Sequence, residues 1–83
     1  MEIDKLQKFL KTKHKFDKKL SIDERWETLD EYFSRIKNLD KNNADVEEIK
    51  EQTASFLVEF IKFLNEKDIE LIDIFKNTLG FGL

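Results

Sequence analysis

Two pairs of glutamates have the spacing of a divalent-metal site. Glu24 and Glu27 are three residues apart, and so are Glu48 and Glu51. Residues three apart are neighbours on a helix surface, so each pair can present two carboxylates together. Mg²⁺ prefers oxygen ligands that converge from several directions. If the two pairs lie on adjacent helices, they offer the carboxylate set of a metal-dependent hydrolase.

This layout resembles the all-α nucleoside triphosphate pyrophosphohydrolases of the MazG kind. In that family one helix carries a Glu-x-x-Glu pair and the next helix a Glu-x-x-Asp pair, and Glu51 stands where the family has Asp. The run Glu-Lys-Asp-Ile-Glu-Leu-Ile-Asp-Ile-Phe at 66–75 looks like the family's junction between helices three and four. The resemblance implies a divergent, metal-dependent pyrophosphohydrolase, which is the alternative function for this chain.

Helical periodicity favours a different role for the four glutamates. At ~100° per residue, each lies roughly 130–170° from the centre of the apolar stripe on its own helix. A metal site inside a helical bundle needs ligands that point inward. We therefore expect a solvated acidic face, with no catalytic residues, no metal and no cofactor.

Other catalytic arrangements have few residues to draw on. His14 is the single histidine and there is no cysteine, so the common zinc ligand sets are missing. Ser21 is better placed as a helix cap than as a nucleophile, and we expect His14 to be a surface residue.

The run Gly80-Phe81-Gly82 follows no predicted strand, so it is interpreted as a helix stop and a tail. That tail either folds back or is bound by a partner.

Charge is distributed unevenly along the chain. Residues 1–20 have a net charge of +4 and residues 21–83 a net charge of −7, for a total of −3. A first helix over 2–19 would place most of its lysines on one face, where they could contact phosphates or an anionic membrane surface. Lysines on the outer, solvated face of a packed helix are the favoured explanation of the pattern. Phe9 and Phe16 are expected on the buried arc, so they are not platforms for bases, and no specific nucleic-acid partner is expected.

Apolar periodicity predicts four helices, at 2–19, 22–39, 46–65 and 69–79. Ser21 and Glu24 have the pattern of a capping box, and Asp45 and Asp68 are predicted N-caps of the third and fourth helices. One continuous helix over 46–79 is the alternative. The short polar loop at 40–44 predicts an antiparallel hairpin of the second and third helices. Aromatic residues expected to pack in the core are Trp26, Phe33, Phe56, Phe60 and Phe63.

The predicted fold is all-α. We expect one domain over residues 1–83, a small antiparallel helical bundle of three main helices plus a short C-terminal fourth helix. The chain has no apolar stretch of ~18 residues and no signal-peptide core at its start, so a cytoplasmic protein is expected. A domain this small leaves apolar surface uncovered, which favours a homo-oligomer, most simply a dimer.

The function expected from these patterns is non-enzymatic. The chain would be a small protein–protein interaction or regulatory protein, of the inhibitor, immunity or accessory type, acting through charged helical surfaces. The acidic face would favour a basic protein partner, and membrane contact through the first helix is a weaker alternative. The candidate partner-binding residues are Glu24, Glu27 and Glu31 on one face and Lys8, Lys11, Lys15 and Lys18 on the other.

Overall fold

The computed structural model describes residues 2–82, which form three main helices and a short fourth, with no strand among them. The helices are α1 (Glu2–Lys13), α2 (Ile22–Lys41), α3 (Val46–Glu66) and α4 (Leu71–Asp73), and α4 continues into a π-helical turn (Ile74–Thr78). The prediction of a small all-α bundle is confirmed. Over residues 2–82, no helix has both the length and the apolar character needed to cross a membrane.

The helices belong to two compact units. The hairpin unit consists of residues 18–60 and holds α2 with most of α3, while the terminal unit consists of residues 2–17 and 61–82. The boundary falls inside α3, which runs without interruption from one unit into the other. The single domain over 1–83 stays a prediction, and each unit is described separately.

The hairpin unit begins with the predicted capping box. Ser21 Oγ accepts a hydrogen bond from the Glu24 backbone N–H, and Glu24 Oε1 accepts one from the Ser21 backbone N–H, both at 3.1 Å. Two backbone donors that a helix start leaves without partners are thereby satisfied. The predicted start of α2 is confirmed, and the helix continues to Lys41, slightly past the predicted end.

The turn between α2 and α3 is a Schellman motif. The Ala44 N–H donates to the Leu39 carbonyl at 2.9 Å and the Asn43 N–H donates to the Asp40 carbonyl at 3.2 Å. Asn43 has a φ of 53°, the left-handed conformation that this motif requires. Asp45 Oδ1 then accepts from the second backbone N–H of α3 at 3.3 Å, which confirms its predicted capping role.

The interior of the hairpin unit is smaller than the aromatic pattern predicts. Leu29 is buried, and Phe56 and Phe60 are half-buried with their rings stacked at 6.3 Å between centroids. Trp26 and Phe33, which were also expected in the core, are exposed. Two helices can bury only the faces that they turn toward each other, so part of each apolar stripe stays in solvent.

In the terminal unit, α1 ends at Lys13, so the predicted helix over 2–19 is too long. The carboxylate of Asp17 explains the early end, because Asp17 Oδ2 lies 2.7 Å from His14 Nδ1 and 3.4 Å from Lys62 Nζ. These contacts hold residues 14–17 as a turn against the end of α3. Lys13 Nζ lies 6.0 Å from the centre of the Phe9 ring.

The shorter helix also changes which side chains are buried. Phe9 is 59% exposed and Phe16 is 92% exposed, so the prediction that both lie on a buried arc is wrong. Phe16 lies beyond the helix end, where helical spacing no longer determines its direction. The buried apolar residues of this unit are Leu10, Ile61 and Leu64.

A second Schellman motif ends α3. The Ile69 N–H donates to the Leu64 carbonyl at 2.9 Å, the Asp68 N–H donates to the Asn65 carbonyl at 3.2 Å, and Asp68 has a φ of 55°. Asp68 is thus the residue after the end of α3, and its predicted role as the N-cap of the fourth helix is wrong. The predicted break is confirmed, which excludes one continuous helix over 46–79.

The fourth helix is shorter and wider than predicted. Its N-cap position is Glu70, whose side chain makes no capping hydrogen bond, and after three α-helical residues the chain follows a π-helical turn. Gly80 ends it with a φ of 74°, as expected of a glycine stop. The Phe81 N–H donates to the Phe75 carbonyl at 2.8 Å and the two rings stack at 6.0 Å, so residue 81 of the tail folds back. Leu83, the last residue of the predicted tail, lies outside the described residues.

Candidate functional site

The acidic surface consists of Glu24, Glu27 and Glu31, which lie exposed on α2 in the hairpin unit. Their spacing of three and four residues places them on one side of the helix. The capping box holds one end of α2 and the Schellman motif holds the other, so the three carboxylates are carried by a helix with defined ends.

Glu24 differs from Glu27 and Glu31 because its carboxylate already accepts the capping hydrogen bond at the start of α2. The hydrogen bond from the Ser21 backbone N–H, supported by the Ser21 side chain, lowers the pKa of the Glu24 carboxyl group. A carboxylate that accepts a backbone N–H bond keeps its charge to lower pH. Glu24 therefore stabilises the start of α2, and its substitution would disturb the helix as well as the surface.

Glu27 and Glu31 are more available to a partner. Glu31 Oε1 lies 3.5 Å from Arg35 Nη2, but both side chains are largely exposed, so the pair contributes little to stability. The Arg35 guanidinium also lies 5.5 Å from the centre of the Tyr32 ring. Glu27 makes no hydrogen bond or ion pair with any residue in 2–82. These two glutamates are the part of the acidic surface that an incoming cation can reach.

The predicted lysine residues do not form one helical face. Lys8 and Lys11 lie on α1, but Lys15 lies in the turn after it and Lys18 in the segment before α2. Lys11 Nζ is 3.9 Å from Asp68 Oδ1 across an exposed pair, and Lys15 Nζ lies 5.6 Å from the centre of the Phe16 ring. The predicted basic face is wrong in this respect because α1 ends at Lys13.

His14, which was expected to be a surface residue, is partly covered and has a hydrogen-bond partner. Its side chain is 21% exposed, and its Nδ1 atom is hydrogen bonded to Asp17 Oδ2. That hydrogen bond, together with the one from Lys62, lowers the pKa of the Asp17 carboxyl group. The three side chains stabilise the turn that ends α1.

A cleft of ≈ 230 Å³ lies inside the terminal unit, between α1 and the segment that follows α3. Drug-sized ligands occupy pockets of about 300–1,000 Å³, so this cleft is small. It is lined by Asp4, Gln7, Lys8, Lys11, Asn65, Asp68, Ile69 and Glu70. Its most buried side chain, Gln7, is already hydrogen bonded to the protein.

Gln7 is the residue that the sequence patterns missed. Its Nε2 donates to Asn65 Oδ1 at 3.0 Å and to the Ile69 carbonyl at 2.8 Å, and its Oε1 accepts from the Leu71 backbone N–H at 2.8 Å. Periodicity gave no signal, because at ~100° per residue Gln7 falls about 40° beyond Ile3, outside the apolar arc of α1. Packing against the chain after α3 buries Gln7, and a buried polar side chain needs hydrogen-bond partners.

The four glutamates with metal-like spacing do not assemble into a site. All of Glu24, Glu27, Glu48 and Glu51 are exposed. Within residues 2–82, no group of three or more His, Cys, Asp or Glu side chains could hold a metal ion. The alternative of a metal-dependent pyrophosphohydrolase gains no support from this geometry.

No known protein family, curated protein sequence or solved structure matches this chain.

Proposed function

We propose that this chain is a small, cytoplasmic, non-enzymatic regulator of the inhibitor, immunity or accessory type, which binds a basic region of another protein through α2. The observation that carries the proposal is the acidic surface, with Glu27 and Glu31 in solvent on a helix whose two ends are held by capping motifs. Exposed apolar side chains in both units add support, because such surplus is common where proteins associate.

Electrostatics gives the acidic surface a selective role. Exposed carboxylates attract a basic partner before contact and raise the association rate, while they repel acidic partners. The attraction falls with ionic strength, because salt screens exposed charges over about 10 Å at 0.1 M. Binding through this surface should therefore weaken as salt increases. Lys8, Lys11, Lys15 and Lys18 are secondary candidates, since they are not gathered on one helix face.

The test is charge reversal at the two available glutamates. The variant Glu27→Lys/Glu31→Lys keeps Glu24, so the capping box stays intact. The matched control, Glu48→Lys/Glu51→Lys, makes the same change in net charge at exposed positions of α3. Tagged wild type and both variants are used to capture proteins from the native host at low and high salt, and captured proteins are quantified by mass spectrometry.

We expect wild type and the control to retain the same basic protein at low salt, and the Glu27/Glu31 variant to lose it. Purified components should then reproduce a drop of at least tenfold in affinity for that variant alone. If the control loses binding equally, net charge and not the acidic surface is responsible. Equal capture by all three proteins would refute the proposal.

A further inference from the structure

An apolar face lies in solvent on the hairpin unit. It consists of Ile22, Trp26 and Phe33 on α2 and Val46 and Leu57 on α3, and these side chains are 44–74% exposed. At ~100° per residue, the three α2 residues lie within about 40° of one another, and the two α3 residues within about 20°. Each helix thus exposes a narrow, mainly apolar part of its stripe beside the side that it buries, and on α2 the exposed Asp40 lies at the same angle as Ile22.

The two stripes belong to the same side of the hairpin. On the helical wheel of α2, the exposed apolar residues lie beyond the buried Leu29, in the direction in which the residue angle increases. On the wheel of α3 they lie beyond the half-buried Phe60 in the same direction. Because antiparallel helices wind in opposite senses when viewed from one end, equal rotations place both stripes on one side. All of these residues lie within 18–60, so the face belongs to a single unit.

Charged residues border the α2 stripe in a self-complementary order. Between about 60° and 100° from Ile22 on the helical wheel, the edge carries Asp23 and Asp30 in the N-terminal half and Lys37 and Lys41 in the C-terminal half. All four are exposed, and none of them forms an ion pair with any residue in 2–82. The edge is therefore acidic at one end and basic at the other, and its four charges have no ion-pair partner in residues 2–82.

We infer that a second copy of this chain docks on the apolar face, with the two α2 helices antiparallel across a two-fold axis near Phe33. In that arrangement the same edge of each helix meets its counterpart, so Asp23 lies opposite Lys41 of the second copy and Asp30 opposite Lys37. In a parallel two-fold arrangement this edge would meet the other edge of the partner helix, so these charges would not pair. A two-fold interface needs this kind of self-complementary patch.

The apolar residues suit such an interface. Aromatic side chains are enriched in the buried centre of protein interfaces and charges at their rim, which is the order found across this face. Two hairpins joined through it form a four-helix arrangement, in which each helix gains a second covered side. The inference uses neither Glu27 nor Glu31, so it stands or fails apart from the proposed function.

The test measures mass in solution by light scattering after size-exclusion chromatography. We expect wild type to have twice the chain mass of 10.0 kDa at high concentration. Two variants give the edge of α2 a single sign of charge. Asp23→Lys/Asp30→Lys makes the edge basic, and Lys37→Glu/Lys41→Glu makes it acidic. Each alone should fall to the monomer mass, and an equimolar mixture should recover a complex with one copy of each. The control Glu48→Lys/Glu51→Lys should stay dimeric.

Phe33→Lys provides a check that does not depend on the edge charges. Phe33 is 58% exposed, so its replacement should leave the helical circular dichroism unchanged while it abolishes the dimer. The inference is overturned if wild type is a monomer at millimolar concentration. It is also overturned if Phe33→Lys stays dimeric, or if the oppositely charged variants fail to combine while both remain helical.

Discussion

Gln7 and Leu71 are joined by a hydrogen bond of 2.8 Å between the Gln7 side-chain oxygen and the Leu71 backbone N–H, across 64 positions of sequence. Leu71 is the first residue of α4, whose own N-cap, Glu70, makes no side-chain capping bond. A side chain from α1 therefore supplies the acceptor that local sequence does not. The same amide donates to the Ile69 carbonyl and to Asn65, so Gln7 makes one bond to the last turn of α3 and two to the chain after it.

Replacing Gln7 tests this role. Gln7→Leu keeps the side-chain size but leaves the Leu71 N–H and the Ile69 carbonyl without their partner. Each buried polar group left unsatisfied costs about 1–3 kcal/mol, so we expect the free energy of unfolding to fall by about 2–4 kcal/mol. Urea denaturation followed by circular dichroism measures the change. Lys5→Ala, at an exposed position of α1, is the control and should stay within about 0.5 kcal/mol of wild type.

The lowered pKa of Asp17 predicts that the stability of the folded protein depends on pH. The hydrogen bond from His14 and the contact with Lys62 lower the pKa of Asp17 in the folded protein below its ordinary value of 3.8. A carboxyl group with a lowered folded pKa stabilises the protein above 3.8, and that contribution disappears as the pH falls through the folded pKa. Asp17→Asn should therefore be less stable than wild type at pH 6, and the difference should shrink at acid pH.

The measurement is a set of urea unfolding curves for both proteins between neutral and acid pH. Glu70→Gln, which removes one exposed carboxylate from the same unit, should run parallel to wild type over this range. A gap between wild type and Asp17→Asn that is independent of pH would show that the charge of Asp17 does not stabilise the turn.

Ser21→Ala should destabilise the start of α2. The substitution removes the oxygen that accepts the Glu24 N–H, and losing an N-cap of this kind costs about 0.5–2 kcal/mol. Thermal unfolding monitored by circular dichroism would show a lower melting temperature. Ser34→Ala, at an exposed position in the middle of α2, is the matched control and should be neutral or slightly stabilising. Equal effects at both positions would contradict a capping role for Ser21.

Asp68→Gly should stabilise the protein. Asp68 has a φ of 55°, a conformation that costs a residue with a Cβ atom about 1–2 kcal/mol and costs glycine almost nothing. Part of that gain is offset by the larger freedom of glycine in the unfolded chain, about 0.5–1 kcal/mol. The exposed Lys11–Asp68 pair contributes little. The expected net gain is about 0.5 kcal/mol in urea denaturation, and Asp68→Ala should give no such gain.

The metal-dependent alternative has its own test. Binding of Mg²⁺ or Mn²⁺ to the folded chain would raise the melting temperature as the ion concentration increases. The exposed positions of Glu24, Glu27, Glu48 and Glu51 lead us to expect no such shift and no nucleotide hydrolysis. A saturable rise in melting temperature that is lost in Glu48→Gln would revive the pyrophosphohydrolase.

The sequence alone determined those helix ends that are stabilised by residues a few positions away. Ser21 and Glu24 satisfy each other through neighbouring backbone groups, and Gly80 takes a positive φ that glycine adopts readily. These interactions involve residues a few positions apart, so the sequence alone specifies them. The acidic surface of α2 was predictable for the same reason, because helical spacing fixes the side on which Glu27 and Glu31 lie.

Tertiary contacts decided what local spacing left open. The turn after α1 contacts Lys62, 45 positions after Asp17, and the first backbone N–H of α4 donates to Gln7. Periodicity also marks every apolar residue on a stripe as core, although burial depends on how many neighbours each helix has. Leu29 is buried while Phe33, on the same stripe, is 58% exposed. The amino-acid sequence thus determined the apolar stripe, and the packing of the helices determined which part of it stays in solvent.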